Sequence, residues 1–145
     1  MAKVLEIGIT KKKGELVEKV HQIKVLKGQG IIGDRTFQEN NDVKRQITLI
    51  EIENINQYNK SFSENLLALN FRRNIVTEGI ELNKLLGKIF FVGKVKLKAH
   101  DLCRPCKYLQ ESLKKSNLIK EFMRKGGLRC EILCDGEINV GDIIK

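Results

Sequence analysis

The stretch Lys94-Val95-Lys96-Leu97-Lys98-Ala99 alternates one basic residue with one apolar residue. Successive side chains of a strand point to opposite faces, so this period of two turns Val95, Leu97 and Ala99 toward a core and the three lysines toward water. The same alternation accounts for the lysines without a nucleic-acid partner. Working downstream, Leu109 to Arg124 carries a helical pattern with an interruption near Ser116 and Asn117, which Gly126-Gly127 stops. A strand, LRCEILC, follows from Leu128. Asp135-Gly136 is a turn signal from which Ile138 and Val140 return antiparallel, ahead of a second turn at Gly141-Asp142.

Upstream the elements are equally short. Lys3 to Ile9 reads as a strand, and Lys19 to Leu26 reads as its hairpin partner beyond a turn at Lys13 and Gly14. Lys27 to Phe37 has glycines at 28, 30 and 33 and suits tight turns and close backbone approach rather than a helix. Gln46 to Ile50 is a strand and Glu51 to Asn59 a short helix. Ser63 is placed to N-cap the segment SENLLAL. Asn74 to Val76 is a further strand, and ELNKLLG from Glu81 is a helical turn ended by Gly87. Many short strands with brief helices predict a mainly β fold, an irregular closed β-barrel with short peripheral helices, and argue against a doubly wound sheet.

A chain of 145 residues with one proline, Pro105, and no Pro/Ser/Gly-rich linker is expected to form a single domain over residues 1–145. Lysines at 3, 11, 12 and 13 leave no signal-like apolar run, and no stretch approaches the roughly 18 apolar residues of a membrane span. All four cysteines, at 103, 106, 130 and 134, fall late in the chain, which suits reduced thiols better than a disulfide scaffold. These readings predict a soluble cytoplasmic protein with no membrane partner. The net charge of +9 favours anionic ligands, while 6% aromatics and no Trp give little for a base-stacking surface, so nucleic acid is not expected.

Cys130 and Cys134 share one face of a predicted strand and read as small core residues, so no independent zinc site is expected. Cys103-Arg104-Pro105-Cys106 is different. Cys106 stands before a helical segment, with Arg104 and Lys107 nearby, conditions that favour a thiolate able to ligate a soft metal, carry a persulfide or attack an electrophile. A thioredoxin-like reading of the CxxC needs a βαβ context that this β pattern lacks, although a reversible Cys103–Cys106 disulfide stays chemically open. Arg72 presents a planar fork suited to an oxyanion, with a surface ion pair as the plainer alternative. Asn74 can hydrogen-bond a heterocycle or a strand edge. Asp34 suits bracing the glycine turn or orienting Arg35. Neither His21 nor His100 completes a catalytic triad.

Taken in order, GIIGDRTF (30–37), KRQITLIE (44–51), RRNIVTEGIEL (72–82), LLGKIFFVG (85–93), LCRPCKYL (102–109) and the ending GGLRCEILCDGEINVGDII resemble a small stand-alone member of the MOSC domain family, the module at the C-terminus of molybdenum cofactor sulfurases. The resemblance implies an irregular β-barrel and assigns the family's characteristic cysteine to Cys106, as a ligand of molybdenum held by a pterin or as a sulfur carrier. The family's RxN segment falls on Arg72 and Asn74, with Arg73 in the middle. Its GDRH segment falls on Gly33, Asp34 and Arg35, with Thr36 where histidine is usual, which weakens any mechanism that needs an imidazole there. Arg35, Arg72, Asn74 and Cys106 are thus the expected cofactor-binding residues and Cys106 the expected catalytic one.

The function so implied is binding of an anionic molybdenum-pterin cofactor or carriage of sulfur. As an enzyme it would be the molybdenum-bearing component of a reductase of N-oxygenated compounds, fed by a separate electron-donor protein. The alternatives are a cysteine persulfide sulfurtransferase served by a sulfur-donor protein, and a non-enzymatic polyanion-binding module.

Overall fold

The computed structural model describes residues 1–104, 111 and 117–145. Among the described residues, ten strands form two sheets. β1 (Lys3–Ile9), β2 (Glu18–Val20), β5 (Ile47–Glu51), β6 (Ile75–Glu78), β7 (Ile89–Val92), β8 (Val95–Leu102) and β9 (Leu128–Ile132) make a seven-stranded sheet in the order β2-β1-β6-β5-β9-β8-β7. β3 (Gln22–Leu26), β4 (Gly30–Ile31) and β10 (Gly136–Asn139) make a three-stranded sheet in the order β10-β3-β4. All neighbouring pairs are antiparallel except β5 and β6. Helix α1 (Ile52–Phe62), a short helix α2 (Leu118–Glu121) and two 3₁₀ turns, Ala68–Phe71 and Leu82–Leu85, complete the described elements.

The fold is mainly β with short helices, but the expected closed barrel is corrected. The large sheet curls through 196° and its edges stay 16 Å apart, an open half-barrel. Closure needs a continuous ladder between the outermost strands. Here β2 is only three residues long, and the C-terminal residues cross from β1 to β7 by single bridges, Lys3 to Ile143 and Val92 to Ile144. These contacts cover the β7 edge without forming a strand pair.

Two expected hairpins are also rearranged. Lys19 to Leu26 is not one strand, because Val20 and Ile23 are three residues apart and cannot share a face of a straight strand. The chain bends at His21; β2 stays with β1, where Ile7 faces Val20, while β3 starts the second sheet with Ile23 and Val25 buried. β10 likewise pairs with β3, Ile138 opposite Ile23, rather than folding back on β9. Asp135 turns it there by accepting the Lys27 N–H at 2.7 Å.

Ser63, expected to open a helix, closes one. It takes a left-handed φ of 52° at the end of α1, and its N–H donates to the Asn59 carbonyl. The Asn59 side-chain amide then donates to the Leu66 carbonyl and accepts the Leu66 N–H, which turns the chain into the 3₁₀ segment. The helical pattern read over Leu109 to Arg124 falls partly outside the described residues, which show α2.

The alternation of β8 holds, with Val95, Leu97 and Ala99 fully buried. They join Ile7, Leu49 and Ile75 in the core inside the curled sheet. A second cluster, with Ile50, Val76, Phe71 and Phe122, packs α1 and α2 on the other face. No described helix is long and apolar enough to cross a membrane.

Candidate functional site: a cationic cavity at the strand ends

Because β5 and β6 are parallel, both begin at the same end of the sheet, where antiparallel β1 ends. A cavity of about 240 Å³ opens there. Its wall gathers six cationic side chains, Arg35, Lys44, Arg45, Arg72, Arg73 and Arg129, and one carboxylate, Asp34, among the described residues. The carboxylate is spent internally. Asp34 accepts the Thr10 N–H at 2.9 Å through one oxygen and the Thr36 hydroxyl at 2.8 Å through the other. It is 8% exposed and locks the glycine turn to the end of β1, an attachment completed by the Arg35 N–H donating to the Thr10 carbonyl. Thr36, in the position where histidine is usual, is thus a second brace of that turn.

Three guanidinium groups are held by backbone carbonyls. Arg72 donates through Nη1 to Glu15 O at 3.1 Å; Arg73 through Nε to Gly126 O at 2.9 Å and through Nη1 to Phe71 O at 3.1 Å; Arg129 through Nη1 to Lys44 O at 3.2 Å. A guanidinium has five N–H donors, so each retains donors while its plane is fixed. Among the described residues, Lys44 is the one cation of the six with a carboxylate partner, Asp101 at 3.5 Å. That pair is exposed and weak. Among the described residues the concave wall therefore carries an excess of positive charge, which focuses its field on an anion.

Asn74 lines the same cavity but uses its side chain to hold three strands together. Its Oδ1 accepts the Thr48 N–H at 3.0 Å and the Thr48 hydroxyl at 3.2 Å, and its Nδ2 donates to the Gly8 carbonyl at 3.1 Å. These bonds fix the backbone that presents Arg72 and Arg73.

Cys103 lies at 1% exposure in the wall, directly after β8, where its N–H donates to Gly127 O at 2.7 Å. Burial pushes its thiol up from the ordinary range, and the opposing field of Arg73 works against this. Cys130, also buried, is likewise raised by desolvation. Cys134 is half-buried at the end of β9, its sulfur accepting the Lys96 N–H. The described residues contain no cluster of three or more His, Cys, Asp or Glu placed to hold a metal. Cys106, the expected sulfur ligand, lies outside the described residues. His100 pairs at 2.7 Å with Glu131 on the neighbouring strand.

The structure thus brings together Arg35, Arg72 and Asn74 from two separated segments. Sequence reasoning assigned no role to Lys44, Arg45 or Arg129 and left Cys103 open. The Lys-Arg pair before β5 was visible, whereas Arg129 carries no local signal: it reaches the cavity only because β9 pairs with β5, Arg129 opposite Thr48.

The open, curled β-sheet that carries this cation-lined cavity at one end defines a mainly β class of protein, and its fold is shared by solved structures. The YuaD protein from Bacillus subtilis superposes with a TM-score of 0.83 at 19% identity, over 99% of this chain and 93% of that one. YiiM from Geobacillus stearothermophilus gives 0.81 at 18%, over 99% and 74%, and YiiM from Escherichia coli 0.75 at 18%, over 100% and 69%. At such identities the likeness concerns the fold. No curated protein matches the chain in sequence. The MOSC domain profile matches residues 22–145, and the chain belongs to the MOSC domain family.

Proposed function

We propose that the cavity binds the anionic part of a molybdenum-pterin cofactor and that Cys106 supplies the sulfur, as metal ligand or persulfide carrier. One observation carries this reading: among the described residues, six cationic side chains face a single carboxylate that is already consumed by Thr10 and Thr36. Planar guanidinium forks suit phosphate-like oxyanions, so the donor set fits such a group. Arg72, Arg73 and Arg129 would orient it, and Asp34 and Asn74 would hold the loops that present them. When bound, the cofactor would supply a redox-active metal for reduction of N-oxygenated compounds, with electrons from a separate protein. Cys103, whose thiol burial keeps protonated, is a poor nucleophile, which leaves the reactive role to Cys106, three positions further along the sequence.

The test compares wild type, Cys106→Ala and Arg72→Ala after anaerobic incubation with released cofactor, measuring molybdenum and pterin retained through gel filtration. Wild type should retain both, Cys106→Ala should lose molybdenum, and Arg72→Ala should lose pterin. Retention by none of the three sinks cofactor binding. A persulfide mass on Cys106 without bound molybdenum would replace it with sulfur transfer from a donor protein.

A further inference from the structure

We propose that an apolar subsite extends the cationic cavity past Arg72, so that the ligand favoured by this protein is a small anion carrying an apolar or aromatic body. This inference rests on the reading of the cavity as an anion site. A groove of about 460 Å³ lies between the β1–β2 loop and the 3₁₀ turn Ala68–Phe71, walled by Leu16, Val17, Leu67 and Leu69. Arg72 belongs to the wall of both this groove and the cationic cavity.

The groove is built on a bare stretch of backbone. A Cβ at Gly8 would lie 2.6 Å from Val17 and 2.8 Å from Leu69, so the absence of a side chain there lets those two side chains settle as its floor. Its lips are Leu16 at 90% and Leu67 at 70% exposure. Single exposed leucines are ordinary, but two flanking one groove form a continuous apolar surface that gains by being covered. Charge fixes the orientation of what covers it. Glu6 and Lys19 on the groove wall offset one another in formal charge, which leaves Arg72 as the uncompensated charge at the junction. The Glu15 carbonyl of the same loop holds that guanidinium, so the loop carrying Leu16 and the residue attracting the anion are fixed to each other. An anionic head at Arg72 would direct an attached apolar body along the groove.

Anilinonaphthalene sulfonate is a probe of this chemistry, and its fluorescence is titrated against the full chain. Wild type should bind one probe per chain, and inorganic phosphate should displace it. The double variant Leu16→Ser, Leu67→Ser changes exposed neutral positions only; its affinity should fall about tenfold through lost apolar contact. Arg72→Ala should weaken the probe as well. Thermal shift by phosphate alone should be the same in wild type and the double serine variant. Absence of probe binding, failure of phosphate to displace it, or unchanged affinity in the double variant would overturn the subsite. Absence of any phosphate shift in wild type would instead remove the anion cavity itself.

Discussion

Asn74 shows how a side chain lining the cavity can also tie the strands around it together. Its three bonds to Thr48 and Gly8 tie β5 and β1 to the residue that follows Arg72 and Arg73. Asn74→Ala leaves these groups unpaired, and the expected loss is about 2 kcal/mol, read from denaturant melts. Retained cofactor should fall with it, since both arginines lose their fixed backbone. Burial likewise decides which cysteines react. Cys103 and Cys130 are held as neutral thiols, so iodoacetamide at neutral pH should leave both unmodified in the native protein and label them after unfolding, as peptide mass mapping would show. The residue types at Arg35, Arg72, Asn74 and Asp34 were legible in the sequence, and so was the bracing role of Asp34. The bonds that occupy Asn74 were not, because its partners lie 26 and 66 positions away.

At the level of elements, the turn before β9 depends on a missing side chain. Gly127 has a φ of 101°, and a Cβ there would lie 1.8 Å from the Leu49 carbonyl oxygen in β5. Gly127→Ala should therefore separate β9 from β5, with the variant recovered insoluble or with a strongly lowered melting temperature. The start of α1 holds a titration. Glu51 is half-buried, and desolvation raises its carboxyl above the ordinary 4.5, with Glu53 and Glu81 adding to the effect. A raised folded value means the native state binds the proton more tightly. Its contribution is fully present below the ordinary value and is lost as pH rises through the raised one. Glu51→Gln should thus raise the melting temperature at neutral pH, and the gain should vanish on acidification. Strand periods were readable from the sequence, as β8 illustrates. Strand partners were harder, since β3 and β10 chose each other over their sequence neighbours.

For the whole molecule, the dominant feature is positive charge gathered on one concave wall. Folding must hold these cations together, so a bound oxyanion should stabilise the protein by mass action. Phosphate should raise the melting temperature in a concentration-dependent way, Arg129→Ala should reduce the shift, and neutral salt of equal ionic strength should not reproduce it. The sequence by itself determined the β-rich class, the family, the basic character and part of the cavity lining, Asp34, Arg35, Arg72 and Asn74, because these follow from local alternation, glycine turns and motif order. Closure was beyond it. Whether the sheet closes depends on how far the outer strands of a curled sheet end from one another, and here the C-terminal residues cross from β1 to β7 by isolated bridges. Only the tertiary structure placed Arg129, Lys44 and Arg45 beside Arg72, because parallel pairing of β5 with β6 and antiparallel pairing with β9 bring remote segments to one end of the sheet. A local pattern fixes which face of a strand is buried, but it does not specify which strand lies next to it.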